Sequence, residues 1–180
     1  AHWAFDGNLA DQSSNKIELS AVGAPLAFSA DNKVLQLTAA TTGFVVVEDS
    51  TPLDFGAAES FTVEVRVRNN DTNGGVIVSK GALVGIGWEL ETNTTHLSFT
   101  VHDGESTSTV ATANPLTDAT LHHIAVSRDA NTNPHTKTLT MFVDHTAVAT
   151  ASDATTLPLA STASTFAVGA ASDGSNRIPA

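Results

Sequence analysis

The chain contains no cysteine, which excludes a disulfide framework, a thiolate metal site and a cysteine nucleophile together. Stability must come from an apolar core. Lysine and arginine are few, 8 against 19 aspartates and glutamates, for a net charge of −11. A surface that tracks nucleic-acid phosphates needs clustered cations, so this balance argues against nucleic acid as a partner. It leaves divalent cations, salt tolerance and neutral glycans open. No apolar run approaches the roughly 20 residues of a membrane-spanning helix, and no basic-then-apolar leader is present. The chain opens at Ala1 without methionine. The expectation is therefore a mature or excised piece of a larger, secreted, extracellular protein. Aromatic residues amount to only 6%, so a sugar-stacking platform would have few rings to draw on.

What is abundant is Thr, Ala, Ser and Val, over 180 residues of which 41% are apolar and 15% charged. Small and β-branched residues of this kind favour strands, and the length suits one all-β domain covering 1–180. Phe61 to Arg68 alternates strictly: Phe61, Val63, Val65 and Val67 share one face, and Thr62, Glu64, Arg66 and Arg68 the other. Asn69 to Gly75 offers residues that tolerate positive φ, and Val76 to Lys80 resumes the extended pattern, so a hairpin is expected there. Further strands are expected at Trp3–Asp6, Ile17–Val22, Val34–Leu37, Phe44–Val47, Trp88–Glu91 and His96–His102. Others are expected at Leu121–Arg128, Leu139–Asp144 and Thr165–Val168, and Ala149 to Ala163 reads as a long connection. Many short strands without an amphipathic helix imply a two-sheet antiparallel β-sandwich.

Several segments, in order, resemble the laminin G-like jelly rolls of the concanavalin A-like lectin/glucanase superfamily. His2 to Leu9 with Asp11 and Ser13-Ser14 resembles the first strand and its loop. Ile77 to Gly81 resembles the hairpin arm, and Gly87 to Leu90 the strand after it. Leu121 to Asp129 resembles the "W-H-H-V-A-V-T-R-D" strand, Leu139 to Asp144 the "L-T-L-Y-V-D-G" strand, and Phe166 to Gly169 a late strand. Leu121 replaces the usual Trp and His145 the usual turn Gly, so that turn needs strained backbone or a longer geometry. The family's closing strand, which should pair with the first, has no counterpart before Ala180. The resemblance implies a structural calcium at the rim, by position at Asp6, Asn8 and Asp11.

Glucan-cleaving relatives in that superfamily carry carboxylates at alternate positions of one strand. Glu89-Leu90-Glu91 has this spacing, but a third acid is missing where Asn93 stands, and no nucleophile elbow, phosphate loop or sialidase-type aspartate box is present. Ser172-Asp173-Gly174-Ser175 lacks that box's spacing and Trp. His122 and His123 are adjacent on a strand, so they face opposite sides and cannot chelate one ion. Asn69 to Gly74 mimics a calcium loop but has Asn first and Lys80 in the place of its closing Glu. Asn70-Asp71-Thr72 and Asn93-Thr94-Thr95 match glycosylation acceptors. For a glycan, the polar and aromatic candidates on outward faces or loop ends are Phe142, Arg66, Arg68, Glu89, Glu91, His102 and Asp103. The expected function is a non-catalytic carbohydrate-binding or adhesive module. The alternative is a structural or protein-interaction spacer, and a glycoside hydrolase or polysaccharide lyase comes third.

Overall fold

The computed structural model describes residues 1–23, 25–31, 33–37, 43–48, 50–69, 74–81, 85–113, 116–130, 137–159 and 164–175. Its strands are β1 (Ser20–Val22), β2 (Ala27–Phe28), β3 (Leu35–Gln36), β4 (Phe44–Val47), β5 (Phe61–Arg68), β6 (Gly75–Lys80) and β7 (Ile86–Thr92). They continue with β8 (Leu97–Asp103), β9 (Thr107–Thr112), β10 (Leu121–Asp129), β11 (Thr138–Val143), β12 (Thr146–Ser152) and β13 (Phe166–Val168). A seven-stranded sheet runs β1-β4-β13-β6-β7-β8-β9, and a four-stranded sheet runs β12-β11-β10-β5. All their pairings are antiparallel. β2 and β3 form a small ribbon of their own.

Period-two alternation decides which side chains meet between the sheets. Trp88 and Leu90 of β7 and Leu97, Phe99 and Val101 of β8 turn inward, against Ile124 and Val126 of β10 and Leu139 and Met141 of β11. Most of these are completely buried, each contributing about 1.5–3 kcal/mol. Gly81 ends β6 with φ 80, and a Cβ there would overlap the Ile86 carbonyl oxygen, so only glycine fits that turn.

Among the described residues, three cations are buried in the body. Arg128 forks between Asp153 (Nε to Oδ2, 2.6 Å), the carbonyls of Gly56, Ala57 and Glu59 (each 3.0 Å) and the Thr155 hydroxyl (3.1 Å). Lys137 Nζ donates to the Thr155 carbonyl, and Lys80 Nζ lies 3.0 Å from both Asp54 Oδ1 and the Ser164 carbonyl. Segment 153–157 is thereby pinned from β10. From the seven-stranded sheet, the Ser108 hydroxyl accepts the Ala154 amide, and Asp103 accepts the amides of Thr156 and Leu157.

Several sequence expectations change. β5 and β6 lie in different sheets, so the connection between them crosses the sandwich and is no hairpin; both faces of β6 are buried. Its loop, 70–73, which carries most of the calcium-loop and one glycosylation pattern, lies outside the described residues. Trp3 to Asp6 makes only a single bridge, Trp3 to Asp11, because Phe5 at φ 54 breaks the extended backbone. Instead Trp3 stacks on Phe166 at 5.2 Å and donates its indole N–H to the Ile17 carbonyl, covering β13. The start of the supposed connection, Ala149 to Ser152, belongs to β12, and β9 is a strand that the sequence did not announce.

Candidate functional site

The seven proposed ligand residues do not converge. Arg66, Arg68 and Phe142 sit on the outer face of the four-stranded sheet: Arg66 lies across from His123, Arg68 across from Leu121, and Phe142 across from Ala125. Leu121 is 57% exposed there, so the Trp-to-Leu difference falls on the surface and not in the core. Glu89, Glu91 and His102 lie on the opposite side of the molecule, on the outer face of the seven-stranded sheet. Asp103 belongs to neither face. It points inward, is buried, and accepts the amides of Glu105, Ser106, Thr156 and Leu157. Burial alone would raise its pKa, but those amides hold the carboxyl well below its ordinary range. Its role is to fix loops, which removes it as a ligand contact.

On the outer face of the seven-stranded sheet, cross-strand pairing builds a polar row. Ser79 of β6 lies opposite Glu89, Glu89 opposite Thr100, and Thr100 opposite Thr109 of β9. Beside it, Glu91 lies opposite Ser98, whose hydroxyl donates to Glu91 Oε1 at 3.2 Å. The Thr100 and Thr109 hydroxyls are 2.9 Å apart, and Ser79 Oγ donates to the Ala170 carbonyl at 3.1 Å. Glu89 is only 2% exposed and its Oε1 has no hydrogen-bond partner among the described residues. Burial first, then the charges of Glu91 and Asp173, push its pKa up to about 7. A buried acceptor left unpaired costs about 1–3 kcal/mol. His102 stands at the end of the same face and accepts the Gly104 amide through Nδ1.

Asp173 and Ser79 had no place in the sequence reading of this site. Ser79 follows from strand parity once β6 and β7 are known to pair. Asp173 reaches the site from the Ala171–Gly174 turn after β13, and no local pattern signals that approach.

The rim loop gathers Asp6, Asn8 and Asp11, but hydrogen donors already occupy it. Asp11 is buried and accepts the His2, Ser13 and Ile17 amides and the Ser13 hydroxyl. Burial opposes ionisation, and the His2, Ile17 and Ser13 amides outweigh it, keeping Asp11 strongly acidic. Asp6 accepts the side-chain amides of Asn8 and Gln12. Donors aimed at a carboxylate repel a cation, so the Asp11 carboxylate as built does not fit a calcium ligand. Among the described residues no group of three or more His, Asp or Glu is arranged to hold a metal ion.

At the opposite rim, His122 is held between two carboxylates, with Nδ1 2.7 Å from Asp144 Oδ2 and Nε2 2.9 Å from Asp118 Oδ1. The bonds to Asp144 and then Asp118 raise its pKa. His123 faces the other way, 3.5 Å from Glu64.

A laminin G-type family model, described as the concanavalin A-like lectin/glucanases superfamily, matches residues 38–180. The chain belongs to this superfamily. No curated protein matches the sequence. Among solved structures, the binding domain of Paraclostridial Mosquitocidal Protein 1 is similar at TM-score 0.70 and 14% identity, over 93% of this chain and 43% of that one. The botulinum neurotoxin serotype G binding domain is similar at 0.64 and 13%, over 88% and 43%. The Ruminococcus gnavus IT-sialidase CBM40 is similar at 0.53 and 13%, over 74% and 83%. This laminin G-like chain thus spans less than half the length of the two toxin domains, and at such identities the likeness is one of fold. No helix among the described residues is long and apolar enough to cross a membrane.

Proposed function

We propose that this laminin G-like domain is a non-catalytic recognition module of an exported multidomain protein, binding a glycan on the outer face of its seven-stranded sheet. The observation that carries the reading is Glu89, a buried carboxyl with an acceptor oxygen unpaired among the described residues, set in a row of hydroxyls. Sugar hydroxyls pair with such groups, and a carboxyl titrating near neutrality can accept from them or donate to them. The net charge of −11 favours a neutral glycan over a sulfated or carboxylated one. The fold analogy supports the same class, since two of the similar structures are binding domains of toxins.

A glycan array with and without calcium tests it, using the parent chain, Glu89→Ala and an Arg66→Ala/Phe142→Ala control. Saturable binding to a neutral glycan, weakened at least about tenfold by Glu89→Ala and unchanged in the control, is expected. Loss in the control would move the site to the opposite sheet. A blank array would favour the spacer reading, and glycan turnover abolished by Glu89→Gln would make the domain an enzyme.

A further inference from the structure

The His122 ring at the rim has a carboxylate on each of its nitrogens, an arrangement that depends on a proton. Nδ1 lies 2.7 Å from Asp144 Oδ2, and Nε2 lies 2.9 Å from Asp118 Oδ1 and 3.1 Å from its Oδ2. Carboxylates only accept, so both nitrogens must donate, which the imidazolium alone can do; a neutral imidazole has one N–H and one bare lone pair. Without its extra proton, one nitrogen would face a carboxylate lone pair to lone pair. The two sides differ in what else holds them. Asp144 is fixed independently, since its Oδ1 accepts the His123 amide at 3.0 Å and its own amide donates to the His123 carbonyl. Asp118 belongs to 117–120, four exposed residues between buried Leu116 and β10. Leu116 at φ 55 and Ala119 at φ 59 stand on either side of it, a backbone that residues with a Cβ avoid. Among the described residues, the hydrogen bonds that tie 117–120 to β10 end on His122 Nε2.

Thr120 makes the Asp118 side the one that can let go. Its hydroxyl oxygen is 3.0 Å from Asp118 Oδ1 and 2.8 Å from His122 Nε2, and it has one proton to give. While Nε2 carries its own proton, the hydroxyl donates to Asp118. A bare Nε2 draws the hydroxyl to itself and leaves Asp118 with the Thr120 amide alone. We propose that His122 is a proton-operated clamp: protonated, it ties 117–120 to the β11–β12 turn, and on losing the Nε2 proton it keeps the turn and releases 117–120. The rim is closed in acid and loosens as pH rises through the titration of the ring, which the bonds to Asp144 and then Asp118 shift above its ordinary value. The carboxylates do not titrate in that range: the bond from His122 and then the Thr120 amide hold Asp118 down to about 2, and the His123 amide and then His122 lower Asp144. From β5, the residue paired with His122 is the uncharged Val67. Glu64, Arg66, Arg68 and His123 lie on the other face of that sheet. His145 stacks on His123 at 5.2 Å and acts electrostatically on Asp144.

NMR on the 180-residue chain tests this, with imidazole nitrogen shifts and backbone order parameters followed from about pH 5 to about pH 9. Both His122 nitrogens are expected to carry protons at the acid end, and the neutral ring to keep its proton on Nδ1. Order parameters of 117–120 should fall from about 0.85 to below about 0.6 with the midpoint of His122, while Asp144 and His145 stay at their acid values. In Asp118→Asn, the carboxamide can accept from Nε2–H or donate to a bare Nε2, so 117–120 should stay ordered at both ends of the range. The His123–His145 pair is untouched by that substitution, so a loop response that persists in Asp118→Asn would place the trigger there and overturn the proposal. Loop order in the parent that does not follow His122, a neutral ring protonated on Nε2, or release of 144–145 in place of 117–120 would each overturn it too.

Discussion

Single residues in this chain hold positions that ordinary preferences would refuse. Val143 pairs with Thr146 across a two-residue turn in which Asp144 has φ 48 and His145 φ 68. This geometry suits Asn or Asp followed by Gly, and the sequence showed that His145 departs from it without showing which way the backbone resolves the conflict. The turn stays tight and His145 carries the strain. His145→Gly is expected to raise stability by about 1 kcal/mol, a rise in Tm of about 3 °C, measured by thermal unfolding. A second prediction concerns pH. Glu89 has its folded pKa raised from 4.5 to about 7, so it favours the folded state fully below about pH 4.5, and that contribution is lost as pH rises through 7. His122, raised by Asp144 and Asp118, loses its contribution in the same direction. Urea midpoints should fall from pH 5 to 8 by the equivalent of about 3 kcal/mol more in the parent than in Glu89→Gln. Parallel curves would show that Glu89 ionises freely.

Elements were legible where apolar residues alternate with charged ones and illegible where the inward residues are small. β5 and β10 were plain from valine, isoleucine and arginine spacing. β9 and β12 were not, because their inward positions are Ser108 and Val110, and Ala149 and Ala151, which give little contrast with the threonines between them; pairing with β8 and β11 makes them strands. Partner choice was the other blind spot, since nothing local tells β5 to bond β10 and not β6. Arg128 shows why the arginine of the β10 segment sits at an inward position: its planar fork meets acceptors from two parts of the chain, 56–59 and 153–155. Arg128→Met should destabilise by about 3–5 kcal/mol by leaving Asp153 buried and unpaired. Arg128→Lys should recover only part of that, because one ammonium cannot serve five acceptors. Equilibrium urea unfolding of both variants checks this, and a Lys variant as stable as the parent would reduce Arg128 to a simple charge.

Over the whole molecule, sequence order conveyed the sandwich well and the site poorly. Asp103 turned out to point inward, and of the remaining candidates Phe142, Arg66 and Arg68 are separated from Glu89, Glu91 and His102 by the full thickness of two sheets. Which strands share a sheet decides that, and the information is non-local. The burial of Lys80, Arg128 and Lys137 has a consequence for proteolysis. Only eight lysines and arginines exist in all, and Arg66 and Arg68 lie within β5. Among the described residues, a protease that cleaves after basic side chains therefore meets exposed targets outside strands only at Lys16 and Lys33. Among the described residues, digestion would begin at Lys16, in the segment that covers β13, or at Lys33, beside the β2–β3 ribbon, and would spare the body of the sandwich, whose cations are shielded as substrates by the bonds that hold it together.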